Sequence, residues 1–408
     1  LLLALASCAQ TPAPSDGPVP LPGNAAMIER STSSGRVVTW KPPDAEPLAP
    51  EYAVEVEGLP LSVYPAAVRH EIVKPPKGIW THTHGGPSER AAFVIFDFEG
   101  RVRIAVRPAR PFQNAWVWPT SAGIVPRREG DLLHFELDRP QCVTLLLDDD
   151  SVPLHFFVAA PERERPRPDD PNVLYFGPGR HEVSALSIQS GQTLYLAGGA
   201  VVRARLASDE KGRLSERINL VTYPTPVVHA RGVRDIRIAG RGILDGSLLP
   251  HPAKNLIRLE GVRNARLEGI VLRDSSSWNV HIAASEDVLA EGLRILSGRL
   301  NSDGINPVNS RRVVIRDCFI RNRDDGIAVK TLRPEPPGGD VRAERCILWS
   351  DWGYPLGVTY ETRAAITNVL FRDCDILFTR HWALGVRVVD AATVDGVAFE
   401  DIRVEDFT

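Results

Sequence analysis

The chain has 408 residues, a formal net charge of -3 and a pI near 6.4, so it lacks the basic composition typical of nucleic-acid-binding domains. Its length allows two domains with substantial cores. Its 34 prolines and 32 glycines favour a turn-rich β protein over a helical one. No run of 18 apolar residues occurs, so we expect no membrane-spanning helix.

The N-terminal residues are typical of an exported protein. The first six resemble the end of a signal peptide, and residues 5–8 (LASC) resemble the lipobox of bacterial lipoproteins, in which Cys8 carries the lipid. We therefore predict a signal-peptide remnant with a lipobox over residues 1–8 and a flexible tether over residues 9–50. This predicts a secreted protein of a bacterium, periplasmic or attached to the outer membrane through the lipid. A cleaved secretory signal with an incidental cysteine is the alternative.

Residues 51–160 read as a series of short β-strands separated by Gly or Pro. YAVEV at 52–56 and LHFEL at 133–137 alternate apolar and polar positions, as half-buried strands do. About a hundred residues with this pattern predict a β-sandwich. The charged, Pro-rich segment 161–171 (PERERPRPDDP) then predicts a linker between two domains.

After the linker one strand-like phrase recurs to the end of the chain, as VRDIRIAG, VRNARLEG, EDVLAEG, RRVVIRDC, VRAERC, ITNVLFRDC and VDGVAFED. Its closing residue repeats at intervals of 29, 23, 26, 28, 28 and 28 residues. Intervals in the twenties with β-type content and no helical period indicate a parallel β-helix. We predict an all-β protein in which an N-terminal β-sandwich is followed by a right-handed parallel β-helix over residues 172–408.

Two sets of potential metal ligands have simpler interpretations. Cys318, Cys346 and Cys374 each close a repeat, and they lack the close paired spacing of a zinc site, so we predict small buried residues stacked on successive coils. His82 and His84 could share one strand face and bind a metal, but no third ligand is evident and a polar surface pair is the simpler interpretation. We predict no metal and no cofactor.

Two acidic motifs stand at coil spacing in the second half of the chain. NSDG at 301–304 and RDDG at 323–326 place two glycines 22 residues apart, each between an Asp and an Ile. Equivalent residues of adjacent coils lie above one another, about 4.8 Å apart, so Asp303 and Asp325 should be close, with Asp324 beside them. Asp-Gly pairs also form ordinary turns, but their recurrence at coil spacing favours acid/base chemistry.

A series of glycines predicts where these motifs lie in the coil. Gly304, Gly326, Gly357 and Gly385 each precede a short apolar run, as in GINPV and GIAVK. We expect these runs to form one sheet of the β-helix, with the acidic motifs on its long concave face.

These motifs resemble those of the polygalacturonase-type hydrolases, glycoside hydrolase family 28. The similar phrases are NSDG, RDDGIAVK, GRGILDGS at 240–247 and SSWNVHI at 276–282, and the resemblance covers roughly residues 172–405. A β-sandwich before the β-helix resembles the related dextranase and isopullulanase group, family 49. The resemblance implies hydrolysis of O-glycosyl bonds, with Asp324 as general acid and Asp303 with Asp325 as the base pair. An inverting enzyme needs its acid and base about 6.5–9.5 Å apart, which the diagonal from Asp303 to Asp324 can reach.

The chain departs from family 28 at two places that bear on the substrate. Residues 351–357 (DWGYPLG) lack the His of the family's Gly-His-Gly, and residues 387–389 (RVV) lack the Lys of its Arg-Ile-Lys. Lys330 is a partial substitute. We predict six substrate-binding residues, namely Asn301, Lys330, Asn279, His281, Trp352 and Arg387.

These patterns predict a monomeric, inverting glycoside hydrolase that cleaves an α-linked polysaccharide or oligosaccharide. Pectic galacturonan-type chains and α-glucans both remain possible substrates. Two alternatives stay open: a polysaccharide lyase built on the same fold, which needs calcium or an Arg or Lys base, and a non-catalytic glycan-binding surface lipoprotein.

Overall fold

The computed structural model describes residues 26–32, 35–70, 88–148, 152–208, 210 and 225–407. Cys8, His82, His84 and the predicted tether up to residue 25 lie outside the described residues. Within the described ranges, no helix has the length and apolar character needed to cross a membrane.

The described residues of the N-terminal part of the fold form twelve strands and a short 3-10 turn, Thr120–Ala122. The strands are β1 (Met27–Ser31), β2 (Gly35–Trp40), β3 (Tyr52–Val56), β4 (Leu59–Leu61), β5 (Tyr64–Arg69), β6 (Glu89–Gly100), β7 (Val102–Pro108), β8 (Ala115–Trp118), β9 (Arg127–Glu129), β10 (Leu132–Leu137), β11 (Val143–Leu147) and β12 (Leu154–Ala159). One sheet has the order β1-β2-β6-β12-β11-β8, with β5 also paired to β6. The other has the order β4-β3-β7-β10-β9. Alternate side chains of both sheets share one apolar core, so this part is a β-sandwich.

The sandwich begins earlier than the sequence predicts. Residues 27–40 were expected to belong to the flexible tether, but they form β1 and β2, which pair with each other and with β6. Val37, Val38 and Trp40 are buried. The prediction was wrong here because the single β-type run GRVVTW is short and follows a Pro-rich segment whose composition dominated the interpretation.

The remaining strands wind as a parallel β-helix, which confirms the predicted fold class. They are β13 (Val173–Phe176), β14 (Gly179–Val183), β15 (Leu186–Ser187), β16 (Thr193–Leu196), β17 (Ala200–Ala204), β18 (Val228–Arg231), β19 (Arg234–Gly240), β20 (Ile243–Asp245), β21 (Ile257–Glu260), β22 (Arg263–Glu268), β23 (Val271–Arg273), β24 (Val280–Ala283), β25 (Glu286–Glu291), β26 (Arg294–Leu296), β27 (Ile305–Val308), β28 (Arg311–Arg316), β29 (Phe319–Asn322), β30 (Ile327–Thr331), β31 (Gly338–Glu344), β32 (Ile347–Ser350), β33 (Leu356–Thr362), β34 (Ile366–Thr379), β35 (Leu384–Val388) and β36 (Val394–Phe407).

Each coil contributes one strand to each of three stacks. The back sheet stacks β13, β16, β19, β22, β25, β28 and β31, and the docking sheet stacks β14, β17, β20, β23, β26, β29 and β32. Long strands β34 and β36 continue both of these sheets without a break. The front sheet stacks β15, β18, β21, β24, β27, β30, β33 and β35. All of these pairings are parallel, so the side chains of equivalent residues stack from coil to coil.

The interior of the coils is apolar and includes the cysteine series. Cys318, Cys346 and Cys374 are buried in this core, which confirms the prediction that they are stacked interior residues. Each follows a residue with positive φ, such as Asp317 at 55° and Asp373 at 52°. These residues turn the chain from the back sheet into the docking sheet, a conformation that Asp adopts at low cost.

The β-sandwich packs on the outer face of the docking sheet. Trp40, Phe93 and Phe157 of the sandwich meet Phe319 and Leu377 of the β-helix in one apolar cluster. Buried ion pairs flank it: Glu46 accepts from Arg203 at 2.9 Å and from Arg273 at 2.7 Å, and Asp97 accepts from Arg241 at 2.9 Å.

Candidate active site

The acidic motifs occupy adjacent turns that lead from the docking sheet into the front sheet. The amide of Gly304 donates to the Asp325 carbonyl at 2.9 Å, and the amide of Ile305 donates to the Gly326 carbonyl at 2.8 Å. A Cβ on Gly304 would lie 2.3 Å from the Gly326 oxygen, so this close stacking requires glycine. The structure therefore brings together the two motifs that the 22-residue interval predicted to be stacked.

Asp325 is held by contacts to both carboxylate oxygens. Its Oδ1 accepts from the Tyr354 amide at 3.0 Å. Its Oδ2 accepts from the Thr359 hydroxyl at 2.8 Å and from Lys330 Nζ at 3.1 Å. With the Tyr354 and Thr359 donors on the next coil and Lys330 on its own coil, this carboxylate has one orientation and has charged and neutral donors to stabilise its anion.

Asp303 has one engaged and one free oxygen. Its Oδ2 accepts from Asn306 Nδ2 at 2.8 Å and lies 3.3 Å from Lys330 Nζ. Its Oδ1 is buried and has no hydrogen-bond partner among the described residues. A buried acceptor of this kind is costly unless it binds a water or a ligand.

Asp324 is the third carboxyl group of the site, and the charges of Asp303 and Asp325 both act on it. Its Oδ1 accepts from the amide of Asp325 at 3.0 Å, and its carbonyl is held by Asn322 and Ser350. Asp324 is partly exposed, whereas Asp303 and Asp325 are buried. Burial and the neighbouring Asp303 and Asp325 raise the pKa of Asp324 well above its ordinary value.

Lys330 is the cation at the centre of the cluster. Besides Asp303 and Asp325, its Nζ contacts Glu361 Oε2 at 3.2 Å. Burial lowers the pKa of Lys330, but Asp325, Asp303 and Glu361 outweigh it and raise that pKa well above its ordinary value. Burial raises the pKa of Asp303 to about 7, with a further rise from Asp325 and a counteracting decrease from Lys330. The site can therefore hold a protonated acid and an ionised base at the same time.

Glu361, Thr359 and Asn306 belong to this site and were missed at the sequence level. Between β30 and β33 the register shifts by two residues, from the pair Val329–Val358 to the pair Thr331–Thr362. The additional residues in β33, with Tyr360 at a φ of 56°, bring Glu361 back onto Lys330. Regular alternation in GVTYET gives no sign of this bulge, so the sequence alone carried no signal for Glu361.

Two of the predicted substrate-binding residues serve the turns instead. Asn279 is fully buried; its Nδ2 donates to the carbonyls of Ser302 and Asp303, and its Oδ1 accepts from Ser297. The prediction that Asn279 contacts substrate is therefore wrong, because its amide is committed to holding the Asp303 turn. Lys330 likewise directs its ammonium at three carboxylates, so it does not fit the predicted role of a uronate ligand.

Asn301 and His281 lie at the edge of the same cluster. Asn301 Oδ1 accepts from Trp278 Nε1 at 3.1 Å, while its Nδ2 has no partner in the described part of the chain. His281 packs edge-on against Trp278, and its buried Nε2 is also unpartnered within the described ranges. Burial, together with Arg258 and Lys330, lowers the pKa of His281 to about 3, so the imidazole is neutral at neutral pH. Both side chains retain a polar atom for a sugar hydroxyl.

Aromatic side chains follow the acidic cluster along the front of the β-helix. The rings of Tyr354 and Trp382 stack at 4.9 Å, and Trp352 packs edge-on against His381 at 4.3 Å. Arg387 is exposed, and its guanidinium lies 4.7 Å from the centroid of the Tyr360 ring. Arg387 pairs in register with Thr359, whose hydroxyl binds Asp325, so it is one coil from the acidic cluster.

The turn that lacks the expected His has a visible packing role. Gly353 lies against the backbone of the acidic motif: a Cβ there would be 2.4 Å from the Asp324 carbonyl carbon and from the Asp325 amide. Residues 351–354 thus press directly on the acidic turn from the next coil. The departure from the family motif leaves this support in place.

The β-sandwich reaches the same turns from the side. The His70 amide donates to the Gly298 carbonyl at 3.1 Å, and Arg323 Nη1 donates to the His70 carbonyl at 2.9 Å. His70 Nε2 lies 2.7 Å from Asp274 Oδ1, and Arg299 holds the other oxygen of Asp274 at 3.0 Å. One residue of the sandwich therefore bridges the turn before Asp303 and the residue before Asp324.

Comparison with known proteins identifies the family. The model described as Glycosyl hydrolases family 28 matches residues 188–408, which is more than half of the chain. The chain belongs to this family. The resemblance noted from NSDG and RDDG is thereby confirmed, and the matched region contains the whole acidic cluster.

Two curated relatives of this family 28 chain are each less than 30% identical to it. A probable polygalacturonase from Vitis vinifera is 29% identical over 182 residues, which is 39% of this chain and 36% of the relative. A second, from Arabidopsis thaliana, is 28% identical over 157 residues, which is 36% of this chain and 33% of the relative. The chain thus spans about a third of the length of the curated relatives it matches. Dex49A from Penicillium minioluteum has a similar fold, with a TM-score of 0.61 at 12% identity over 91% of this chain and 84% of that chain.

Proposed function

We propose that this chain is an inverting glycoside hydrolase that cleaves an α-linked polysaccharide of the pectic, uronate-containing type. The observation that carries the proposal is the convergence of Asp303, Asp324 and Asp325 on two stacked turns, where burial raises the pKa of Asp303 to about 7 and that of Asp324 well above its ordinary value. Glycoside hydrolysis needs one protonated and one ionised carboxyl group. Family membership supports the reaction class, and the polygalacturonase relatives support the substrate class.

In this proposal Asp324 is the general acid. Its raised pKa favours the protonated carboxyl group, and the residue is partly exposed. It gives that proton to the glycosidic oxygen as the bond to the anomeric carbon breaks. The amide of Asp325 orients the donating carboxyl group through Oδ1.

Asp303 and Asp325 together activate the water on the other side of the sugar. Asp303 Oδ1 is a carboxylate oxygen with no hydrogen-bond partner among the described residues, so it takes the proton of the attacking water. Asp325 is fixed by the Tyr354 amide, the Thr359 hydroxyl and Lys330, and it holds the charge that assists this transfer. The new C–O bond forms opposite the bond that breaks, so the anomeric configuration is inverted.

Arg387 is the proposed contact for a substrate carboxylate. It is exposed on the outer face of the front sheet, and its stacking on Tyr360 holds the guanidinium beside the site. A guanidinium binds a carboxylate with two parallel hydrogen bonds, which suits a uronate. The aromatic pair of Tyr354 and Trp382 offers an apolar face for a neighbouring sugar ring.

A neutral α-glucan is the second candidate substrate. Three carboxylates contact the ammonium of Lys330, so an anionic sugar next to the scissile bond would meet net negative charge. A lyase is less compatible with the same geometry. Its base must lose a proton near neutral pH, whereas the pKa of Lys330 is raised well above its ordinary value.

Proton NMR of the anomeric signals during digestion of a pectin and α-glucan panel tests the proposal. We expect new reducing ends of inverted configuration from a pectic substrate with the unmodified chain, and none with Asp324→Asn. Release from an α-glucan alone would transfer the proposal to the second substrate. Unsaturated uronate signals would establish a lyase, and binding without turnover of any glycan would leave a glycan-binding protein.

A further inference from the structure

Lys330 is an unusual group to find inside an acid/base site, because its ammonium is buried and contacts only carboxylates among the charged groups near it. Its side chain is 5% exposed, and the side chains of Asp303 and Asp325 are 2% and 1% exposed. A buried ammonium requires paired anions, and removing one partner of such a pair leaves an uncompensated charge. The distances of 3.3, 3.1 and 3.2 Å to Asp303, Asp325 and Glu361 show that three anions compensate it.

We propose that Lys330 is a positioning residue that keeps Asp303 in its basic, ionised form, and that Glu361 on β33 tunes this effect from outside the cluster. The inference rests on the proposed function, because it assigns a task to two residues around the proposed base. Lys330 acts through Asp303 and Asp325 and does not itself contact the scissile bond. Glu361 enters as a fourth carboxylate that no sequence motif identified.

The contacts of the three carboxyl groups indicate a different role for each. Lys330 and Asn306 both bind Asp303 Oδ2, which leaves Oδ1 as the acceptor for the water proton. Lys330 also binds Asp325 Oδ2, so one ammonium lies between two like charges and offsets their repulsion. Asp324 accepts no hydrogen bond from Lys330, which leaves it as the carboxyl group of the three that retains its proton.

Glu361 opposes Lys330 in its effect on Asp303. Its carboxylate is the more accessible of the anions on the ammonium, at 24% exposure of the side chain. Its negative charge raises the pKa of Asp303, whereas the charge of Lys330 lowers it. Removing the two charges one at a time should therefore shift the ionisation of Asp303 in opposite directions.

The charged and titratable groups that face this cluster come from every element packed around it. They are Asp324 and Asp325 on the adjacent turn, Lys330 on β30, Tyr360 and Glu361 on β33, His281 on β24 and Arg387 on β35. His281, whose pKa is lowered to about 3 by burial, is neutral throughout the range in which Asp303 ionises. Within this set, the charges of Lys330 and Glu361 can be removed one at a time to change the ionisation of Asp303 without changing any of the three proposed catalytic carboxyl groups.

The test compares pH profiles of kcat/KM for the full chain and two variants. We expect Lys330→Met to lower kcat about 100-fold and to move the acidic limb up by about one pH unit or more, because the base loses its counter-ion. We expect Glu361→Gln to move the same limb down by about half a unit. Shifts in opposite directions support the proposal; equal limbs, or shifts in the same direction, overturn it.

Lys254→Met is the matched control for the loss of a buried lysine. Lys254 is fully buried, and its Nζ contacts Glu210 Oε2 at 2.7 Å and the Ser184 carbonyl at 2.9 Å, outside the acidic cluster. This variant should lose stability as Lys330→Met does, while its acidic limb stays in place. If Lys254→Met moved the limb as far, general destabilisation would explain the effect and the proposal would fail.

A readout without turnover separates this inference from the proposed reaction. Carbon NMR of the labelled Asp303 carboxyl group follows its titration directly, with Lys330→Met and Glu361→Gln as the perturbations. Opposite shifts of that titration in a chain that hydrolyses no glycan would retain the role of Lys330 and reject the hydrolase. Hydrolysis by the unmodified chain, with an Asp303 titration that neither variant changes, would retain the hydrolase and reject the role of Lys330. If Lys330→Met does not fold, the Glu361→Gln titration alone decides, since an upward or absent shift contradicts the proposal.

Discussion

The chain carries two sets of stacked carboxylates, and they differ in charge balance. On the outside of the β-helix, arginines bridge adjacent coils: Arg312 contacts Glu286 at 2.8 Å and Asp287 at 2.7 Å, and Arg345 contacts Asp317 at 2.9 Å. These side chains are roughly half exposed, and each carboxylate contacts an arginine. At the front sheet, three carboxylates contact one buried lysine, and Asp324 is adjacent to them. Balanced, solvated ion pairs join adjacent coils, whereas buried acids with too few counter-ions are suited to acid/base chemistry.

The largest effect should follow from removing the acid of the unbalanced set. Asp324→Asn keeps the shape of the side chain but cannot donate a carboxyl proton, so we expect kcat to fall about 1000-fold or more. The fold should persist, because Asp324 Oδ1 receives only the adjacent amide and an amide oxygen can replace it. Initial rates on the substrate found by NMR, with circular dichroism of both proteins, measure this. A variant with more than a tenth of the original rate would contradict the assignment.

A third set of charges is buried, like the acidic cluster, but balanced by arginines, like the outer set. It therefore tests whether burial makes balanced ion pairs important for stability. Arg273 bonds Asp245 Oδ2 at 2.7 Å through Nε and Glu46 Oε1 at 2.7 Å through Nη2, where the sandwich meets the docking sheet. Arg273→Met leaves the buried Asp245 carboxylate without its cation and leaves Glu46 with Arg203, so the free energy of unfolding should fall by about 3–5 kcal/mol. Urea unfolding followed by tryptophan fluorescence measures it. A loss below about 1 kcal/mol would show that the interface does not depend on this pair.

The contrast between the two sets was only partly visible in the sequence. The 22-residue interval between Gly304 and Gly326 predicted the stacking of the acidic motifs, because a fixed interval maps directly onto adjacent coils. The cysteine series at 28-residue intervals was located by the same logic. Strict periodicity is the kind of information that a solenoid preserves in its sequence.

Local departures from periodicity were not predictable. The register shift in β33 brings Glu361 to Lys330, and in the register before the shift Gly357 pairs with Ala328 instead of with Gly326. The glycine series therefore lies on the front sheet as expected, but in two registers. Asn279 was misassigned for a related reason: its motif gives the position of the residue along the coil, whereas the direction of its amide depends on the turn that it holds.

The unbalanced set should also make stability depend on pH. Burial raises the pKa of Asp303 from 3.8 to about 7, so the folded state binds this proton more tightly than the unfolded chain. The stabilising contribution is complete below pH 3.8 and is lost as the pH rises through about 7. Asp303→Asn removes this titration, and we expect it to be more stable than the unmodified chain at pH 8 by about 1–3 kcal/mol, less than the full conversion of the pKa change.

Unfolding of both proteins between pH 4 and 8 measures this difference. The stability advantage of Asp303→Asn should grow as the pH rises and become constant above about 8, since Asp303 is then ionised in both states. An advantage that shrinks with rising pH would mean that the pKa of Asp303 is lowered by folding, and the assignment of a proton-accepting base near neutral pH would have to be revised.

The smallest effect should come from the balanced surface set. Arg312→Met breaks contacts with Glu286 and Asp287, but the side chains on both sides are 37–53% exposed and water replaces the lost partner. We expect the free energy of unfolding to change by less than about 1 kcal/mol, with a larger change at low salt than at high salt because ions screen such pairs. Urea unfolding at two salt concentrations, run beside Arg273→Met, makes the comparison. A loss as large as that of Arg273→Met would mean that the outer arginines hold the coils together as strongly as the buried interface does, and the distinction drawn between solvated and buried charge in this chain would not hold.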